Sequence, residues 1–340
     1  MISEKSFWYI AAQSHEVSTQ RPLGRKILGE WLVLFRGSTG KVVCMQDRCI
    51  HRNAQLSRGT IRAGRLICPY HGWAYGDAGK VVNIPSEGPG EPRGKGRCGI
   101  IYECLEQDDY VYVRLAPGEP GELPYRIPCY GKAGYAAIRL SNRFENTVTN
   151  CVENFVDIPH TAFVHPRIFR NPRNERFTAR VVRAAGSVRV EYANERANFG
   201  IFSRFLNRTG KEIRHFDNFH MPNITCVEYE FGPHRHFFIT SQSIPVTDEE
   251  TLVYTDLTYD YGFWNWLARP IIRRQAQAII DQDIVILKNQ MESIRRYGSL
   301  FQNSAPDIIH VMVESIRDAL QRGENPKLLP EKTVEFEFWV

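Results

Sequence analysis

Two short cysteine–histidine pairs are the residues of this sequence that are best suited to bind metal. Cys49 and His51 form the first pair, Cys68 and His71 form the second, and sixteen residues separate the two pairs. Together they offer two thiolates and two imidazoles from two loops between strand-like segments. These ligands suit a structural zinc ion. They also suit a [2Fe–2S] cluster in which two cysteines hold one iron and two histidines hold the other, which raises its reduction potential.

The residues that follow each pair form a more specific pattern. Arg52 follows the first pair and Gly72-Trp73 follows the second, which gives the elements C-x-H-R and C-P-x-H-G-W. The stretch CIHRNAQLSRG…CPYHGWAYGDAGKVVNIPS resembles the Rieske domain of ring-hydroxylating and O-demethylating oxygenases. The resemblance implies that the two pairs bind a Rieske [2Fe–2S] cluster, and structural zinc is the alternative.

A second candidate metal site lies further along the chain, at His160 and His165. If a helix that begins near Glu145 continues to His160, it places Asn154 and Asp157 on the same polar face as that histidine. Polar residues aligned in this way need partners, and a metal ion with its surrounding hydrogen bonds would supply them. The alternative is a polar helix face that is turned to solvent, with two unrelated histidines.

Two histidines and one carboxylate, with open positions left at the metal, form the facial triad of non-haem Fe(II) oxygenases. A helix predicted from Pro270 to about Arg296 offers Asp281 and Asp283 as the carboxylate. Its apolar stripe recurs at spacings of three and four: Ile272, Ala276, Ile279, Asp283, Leu287, Met291, Ile294. Because an unpaired carboxylate on a buried face is costly, the periodicity favours Asp283 as the ligand. The alternative is a buried aspartate that is held by hydrogen-bond donors.

The oxygenase family that the cluster motif resembles carries a similar arrangement after its cluster domain. The segments NFVDIPHTAFVH, which begins at Asn154, and DQDIVILKNQ, which contains Asp283, match that arrangement. The resemblance implies that His160, His165 and Asp283 bind a mononuclear Fe(II). It also implies that Asn154 and Asp157 belong to the catalytic site without binding the iron.

The resemblance gives Asp157 a particular role. In the family, the corresponding aspartate contacts the iron histidine, here His160, on one side. On its other side it meets the second cluster histidine, here His71, of a neighbouring subunit. The resemblance therefore implies a homotrimer in which Asp157 bridges the two redox centres. The alternative is an aspartate that only orients His160 within its own subunit.

The length of 340 residues favours two domains, at about 150 residues per domain. Residues 7 to 115 are typical of short strands separated by turns, and the Pro- and Gly-rich segment 116–128 is the candidate boundary. We therefore expect an N-terminal all-β Rieske domain at 1–120 and a catalytic domain at 121–340, an α+β protein overall. The resemblance implies that the second domain is a helix-grip (START-like) fold with an antiparallel sheet around a long helix.

Several elements are predicted from periodicity and breaker residues. They are strands at Trp31–Phe35, Lys41–Cys44, Tyr110–Val113, Val188–Tyr192 and Phe237–Ile244, and helices at Glu145–Asp157, Pro270–Arg296 and Pro306–Gln321.

Composition argues against several other classes of protein. A net charge of +5 is low for a nucleic-acid-binding protein, and eight cysteines are too few for a disulfide scaffold of this length. The first residues show no apolar signal-peptide core, and no segment approaches the 18 apolar residues of a membrane span. We therefore expect a cytoplasmic protein without nucleic-acid or membrane partners.

Two weaker patterns have explanations that require no functional site. His234 and His236 share a strand face, a spacing that can bind metal but is common by chance. A basic run follows His165: Arg167, Arg170, Arg173, Arg176, Arg180, Arg183. Such runs are usually solvated surface, although a docking patch for an acidic ferredoxin or reductase is the alternative.

Together these observations predict the terminal oxygenase component of a multicomponent enzyme. It would use O2 to hydroxylate or oxidatively demethylate a small aromatic substrate. The sequence contains neither a dinucleotide fingerprint nor a flavin motif, so NAD(P)H would act only through a separate reductase, with or without a ferredoxin. The alternatives are a Rieske electron carrier with a non-catalytic ligand-binding domain, and a zinc-stapled binding protein.

Overall fold

The structure is a computed structural model that describes residues 3–93, 96–166, 176–193, 213–231 and 236–339. The chain folds into two compact units. One is Lys5–Arg126, and the other combines Met1–Glu4 with Ile127–Val340. The assignment of functional domains to residues 1–120 and 121–340 stays a prediction.

Within the described part of Lys5–Arg126, the strands form two antiparallel sheets. The strands are β1 Tyr9–Gln13, β2 Leu23–Ile27, β3 Glu30–Arg36, β4 Val42–Gln46, β5 Thr60–Arg62, β6 Arg65–Ile67, β7 Ala74–Tyr75, β8 Val81–Asn83, β9 Ile101–Gln107 and β10 Tyr110–Arg114. The larger sheet has the order β1-β10-β9-β4-β3-β2, and the smaller has the order β5-β6-β7-β8. The three strands predicted here are confirmed as β3, β4 and β10, with small shifts at their ends.

The larger unit combines one antiparallel sheet with helices. Its described strands are β11 Ala136–Phe144, β12 Arg176–Ala184, β13 Ser187–Ala193, β14 Arg214–His220, β15 Ile224–Glu230, β16 His236–Thr247, β17 Glu250–Tyr259 and β18 Lys332–Trp339. Its described helices are α1 Val148–Val156, α2 His160–Val164, α3 Asn265–Tyr297 and α4 Ile308–Gln321. The sheet has the order β11-β17-β16-β15-β14-β13-β12-β18. The α+β class predicted from the sequence is confirmed.

The helix predicted near Glu145 does not continue to His160, and the predicted start of the long helix is wrong. The helix before His160 ends at Val156, and Asp157 follows it in extended conformation (φ −90°, ψ 119°). Pro159 accounts for the break, because a proline disfavours the helical conformation at the residue before it, here Ile158. The long helix α3 begins at Asn265, so that Pro270 lies inside it instead of starting it.

A buried polar network ties α1 to α3. Asn146 is fully buried just before α1. Its Nδ2 donates to the carbonyl oxygen of Leu287 (2.7 Å) and to Oε1 of Gln290 (2.9 Å), both on α3. Its Oδ1 accepts from Nδ2 of Asn150 (2.7 Å) in α1. Because a buried amide loses stability when it lacks partners, this network fixes α1 against the middle of α3.

The helices also pack against the sheet. Val152 and Val156 of α1 join a core cluster with Val181 of β12 and Val313 of α4. Cys151, on another face of α1, joins a second cluster that includes residues of β11, β17 and α3. The α1 helix is therefore held on two sides by apolar packing. Among the helices in the described ranges, none is both long and apolar enough to cross a membrane.

Candidate functional site

The two cysteine–histidine loops of the smaller unit have the same build. The backbone N–H of Asn53 donates to the carbonyl oxygen of Cys49 (2.9 Å), and that of Gly72 donates to the carbonyl oxygen of Cys68 (3.2 Å). Asn53 and Gly72 both have left-handed backbone, with φ of +61° and +73°, which asparagine and glycine accept most readily. Each cysteine therefore begins a tight turn that presents its histidine.

The four predicted cluster residues lie together. Cys49 and Cys68 are 1% and 3% exposed. The rings of His51 and His71 have centroids 4.6 Å apart. Within the described residues, Nδ1 of His51 is buried and has no hydrogen-bond partner. Buried ring nitrogens normally have a partner, so this atom and the buried thiols fit a metal cluster between the two loops.

Two aromatic residues surround the cluster loops. The hydroxyl of Tyr75 donates to Sγ of Cys49 (3.1 Å) and accepts from the backbone N–H of Ile50 (3.1 Å). Trp73 stacks on His51 with an interplanar angle of 4°. Hydrogen bonds to cluster sulfurs help to set the reduction potential. Sequence analysis did not find Tyr75, because its approach to Cys49 depends on how β7 packs beside the first loop.

In the larger unit, His160, His165 and Asp283 converge from two separate segments. His160 is the first residue of α2, His165 follows its last residue, and Asp283 lies in the middle of α3. Oδ1 of Asp283 is 3.1 Å from Nε2 of His165 and 3.7 Å from Nε2 of His160. One ligand atom from each residue lies within 4.8 Å of the others. This donor set fits an Fe(II) facial triad.

The burial of these residues favours the binding of a shared cation. Asp283 is 4% exposed and His165 is 1% exposed, whereas Asp281 is exposed. Burial acts to lower the pKa of His165, but the hydrogen bond and charge of Asp283, together with Gln282, raise the pKa above its usual value. The carboxylate therefore attracts positive charge to this position, which is what a metal ion would supply.

Asn154 and Asp157 hold the triad residues from the α1 side. Nδ2 of Asn154 donates to Oδ1 of Asp283 (3.1 Å). Oδ2 of Asp157 accepts from the backbone N–H of His160 (3.1 Å) and lies 3.0 Å from its Nδ1. The prediction that Asp157 stands beside His160 on one helix face is wrong, because Asp157 reaches the ring from the turn before α2. The contact of Asp157 with Nδ1 leaves Nε2 of His160 facing Asp283.

Gln282 orients the other histidine, and sequence analysis missed it. Oε1 of Gln282 lies 2.7 Å from Nδ1 of His165. Since Nε2 of His165 faces Asp283, the Nδ1 position carries the hydrogen in a metal-binding imidazole, and Gln282 accepts it. The helical pattern of α3 shows Gln282 only as an exposed polar residue. Its contact with a histidine from α2 depends on how the two helices pack.

The candidate triad opens into a cavity of about 120 Å³. Helix residues form one wall and strands β14 to β17 form the other. Much of the lining is apolar, and includes Phe155, Ile158, Val227, Ile239 and Ile279. Pockets of this kind bind small organic molecules, with a few polar groups that fix the orientation of the ligand.

The structure describes only some residues of the two weaker sequence patterns. His234 and Arg167, Arg170 and Arg173 lie outside the described residues. Nδ1 of His236 is 3.4 Å from Oε1 of Glu228, and these two residues form with Glu230 a partly buried group of possible metal ligands. Arg180 on β12 is paired with Glu335 on β18 (3.6 Å). The contact of Arg180 is that of a charged sheet surface.

Two family models cover most of the chain. The Rieske [2Fe–2S] domain matches residues 7–105, and the vanillate O-demethylase oxygenase C-terminal domain matches residues 145–320. The cofactors that these domains imply are a Rieske [2Fe–2S] cluster and a mononuclear iron, in agreement with the sequence prediction. The zinc alternative for the two cysteine–histidine pairs is therefore not supported.

Individual relatives are similar to the chain over only part of its length. Methylxanthine N1-demethylase NdmA of Pseudomonas putida is 32% identical over 176 residues, which is 50% of this chain and 50% of the relative. The oxygenase component of dicamba O-demethylase of Stenotrophomonas maltophilia is 30% identical over 190 residues, 55% of each chain. Like these two, the curated relatives are matched over about half of their own length or less.

A solved structure extends the similarity of the fold to nearly the whole chain. Dicamba monooxygenase bound to dicamba superposes with a TM-score of 0.79 at 21% identity, over 95% of this chain and 98% of that one. At that identity the likeness is one of fold. Since the C-terminal family model alone spans more than half of the chain and follows a Rieske domain, the chain belongs to the family of Rieske oxygenases that carry the vanillate O-demethylase oxygenase C-terminal domain.

Proposed function

We propose that this chain is the terminal oxygenase component of a Rieske non-haem iron oxygenase that hydroxylates or oxidatively demethylates a small aromatic substrate. The observation that carries the proposal is the convergence of two imidazoles and one carboxylate at the wall of a largely apolar cavity. For demethylation, a methyl ether, O2, two electrons and two protons give the demethylated alcohol or phenol, formaldehyde and water. The names of the two relatives, an N-demethylase and an O-demethylase, support a substrate that carries such a methyl group.

The iron ligands in this proposal are His160, His165 and Asp283. These three residues would hold Fe(II) and leave positions open for the activation of O2. Asn154 donates to the oxygen of Asp283 that faces the histidines, and so keeps that carboxylate turned toward the site. Asp157 and Gln282 hold the two imidazoles by their Nδ1 atoms. The apolar lining excludes bulk water from the bound substrate.

The cluster ligands in this proposal are Cys49, His51, Cys68 and His71. A Rieske cluster would store and pass single electrons at a potential above that of plant-type [2Fe–2S] ferredoxins. We assign these residues to a cluster domain at 1–120 and the iron ligands to a catalytic domain at 121–340. An electron carrier with a non-catalytic second domain is less well supported, because the second domain has its own buried metal-ligand set.

The partners follow from the electron demand of the reaction. NAD(P)H would supply electrons through a flavin reductase, with or without a ferredoxin between them. In the proposed homotrimer, Asp157 bridges His160 to His71 of the neighbouring subunit. In support, the described contacts of Asp157 use Oδ2, and the side chain is 20% exposed, so Oδ1 is available to a second histidine. Cytoplasmic localisation stays a prediction.

Turnover with a surrogate reductase tests the function directly. The purified, iron-loaded protein would be mixed with NADH, a reductase, a ferredoxin and a panel of aryl methyl ethers, N-methyl heterocycles and aromatic acids. We expect substrate-dependent O2 uptake that is matched by formaldehyde or by a hydroxylated product. A protein that carries both metals but yields no product from any compound in the panel would contradict the proposal.

The ligand assignment predicts how iron content changes. Wild-type protein should bind about three irons per chain, two in the cluster and one at the triad. His160→Ala, His165→Ala and Asp283→Ala should each lose about one iron and all turnover while keeping the Rieske EPR signal. Asp281→Ala is the matched control and should retain all three irons, since that side chain is exposed. Loss of iron in the control with retention in Asp283→Ala would reverse the assignment.

Gln282→Leu should weaken ferrous ion affinity by about 10–100-fold, because His165 loses the acceptor for its Nδ1 hydrogen. Gln282→Glu should keep the affinity, since a carboxylate oxygen can accept the same hydrogen bond. Chelator competition measures the affinity, and EPR of the nitric oxide adduct reports on the iron geometry. Asn289→Leu, an exposed change on the same helix, is the control. Equal affinities in Gln282→Leu and in the control would remove Gln282 from this role.

The bridge predicts a defect in electron transfer. Asp157→Asn should keep both metals and the trimer, yet slow the reoxidation of the reduced cluster when substrate and O2 are added by rapid mixing. Glu153→Gln is the control, because that nearby carboxyl makes no described contact with His160. If the cluster is reoxidised at the wild-type rate in Asp157→Asn, or if an isolated monomer is fully active, Asp157 does not act as a bridge.

A further inference from the structure

Strand β14 breaks the apolar pattern of the sheet beside the cavity. On its two neighbouring strands, the residues that pair with Asp217 are Val190 and Val227, both apolar. The residues that pair with His215 are Tyr192 and Tyr229. Strand β14 instead places His215 and Asp217 on this face, and they are only 2% and 3% exposed. A buried histidine–aspartate pair in an otherwise apolar and aromatic row is expected where function requires it.

The carboxylate of Asp217 is held in one orientation. Its Oδ2 accepts from the hydroxyl of Tyr192 (2.9 Å), and its Oδ1 lies 3.1 Å from Nε2 of His215. The ring of His215 stacks on Tyr229, with centroids 4.3 Å apart. A carboxylate can accept about four hydrogen bonds. These two contacts, one on each oxygen, leave Asp217 able to accept a further donor from the cavity.

Asp217 and His215 line the same cavity as the candidate iron ligands. The triad belongs to the helical wall, whereas Asp217 belongs to the sheet wall. Two other carboxylates line the cavity, but Asp157 already binds His160 and Asp283 faces both histidines. The hydroxyls of Ser241 and Thr255 lie 3.3 Å apart and bond to each other. Asp217 is therefore the charged acceptor that this sheet wall offers to a ligand.

A purely structural role explains these observations less well. An ionised carboxylate loses much hydration when it is buried, so a structural aspartate is best placed where the fold surrounds it with donors. Asp217 instead opens toward a cavity in which its neighbours on the sheet, Val227 and Ile239, are apolar. A ligand that brings its own N–H or O–H group would supply a donor beyond those that the described residues provide.

We propose that the Tyr192–Asp217–His215 set is the recognition site for a hydrogen-bond donor on the substrate, such as a phenol hydroxyl or a ring N–H. A donor held at the sheet wall would direct the opposite end of a small aromatic molecule, with its methyl group, toward the helical wall. The negative charge of Asp217 disfavours a substrate with its own carboxylate. The inference rests on the proposed function and narrows its substrate class to neutral aromatic methyl compounds that carry a donor.

Such a site should discriminate strongly, because it leaves a buried acceptor unpaired when the donor is missing. The test measures anaerobic binding to the full chain, loaded with both metals, by calorimetry. The probes are methoxybenzene, 3- and 4-methoxyphenol, and 3- and 4-methoxybenzoate. We expect at least one methoxyphenol to bind about tenfold more tightly than methoxybenzene. We also expect both benzoates to bind more weakly than that methoxyphenol.

Two variants and one control assign the preference to Asp217. Asp217→Leu removes the acceptor, and Asp217→Asn keeps the size of the side chain while replacing one accepting oxygen with a donor. Both should lose most of the preference for the methoxyphenol over methoxybenzene, and retained iron and circular dichroism verify folding. Should the leucine variant fail to fold, the asparagine variant decides. Val227→Ala, the apolar pairing partner of Asp217, should weaken both probes by a similar factor.

Several binding results would overturn the proposal. Equal affinity of wild type for methoxyphenols and methoxybenzene, no detectable methoxyphenol binding, or a preference that persists in the folded Asp217 variants would overturn the proposal. Tightest binding of a methoxybenzoate would also overturn it, and would indicate a cationic His215 as the recognition group. These outcomes concern only the binding of the probes. Failure of the oxygenase function would instead appear as missing iron or as absent product in the turnover assay.

Discussion

Burial of the Asp283 carboxylate is the constraint on which the larger unit depends. The side chain sits on the apolar face of α3, and a negative charge in that position is costly without a cation and hydrogen bonds. The segment from α1 to α2 brings the amide of Asn154 and the imidazoles of His160 and His165 to the same oxygen. The position of this segment relative to α3 therefore decides whether the site exists. The buried Asn146 network and the apolar packing on two sides of α1 fix that position.

The two histidines are oriented by groups of different charge. Nδ1 of His160 meets the carboxylate of Asp157, whereas Nδ1 of His165 meets the neutral amide of Gln282. With Asp283, this arrangement gives two negative charges, which a divalent iron would balance. A carboxylate in place of Gln282 would add a third negative charge close to the metal.

The cavity is polar at two separate places. The candidate metal ligands occupy the helical wall, and Asp217 and His215 occupy the sheet wall, with apolar side chains between them. A substrate that satisfies both ends has few ways to lie in such a space, because each wrong orientation leaves a buried polar group unpaired. In the proposed demethylation, orientation of the methyl group and rejection of unsuitable compounds would have the same physical cause.

The sequence by itself determined the features that depend on local spacing. The two cysteine–histidine pairs identified the cluster domain, and helical periodicity separated the buried Asp283 from the exposed Asp281, because burial alternates with the turns of a helix. The α+β class followed from the same patterns. Tertiary structure decided the rest. Pro159 ends α1 early, so Asp157 reaches His160 from a turn. Gln282 reaches His165 from another helix, and Asp217 faces the cavity because of its place in the sheet. These contacts join residues far apart in the chain, and only packing brings them together.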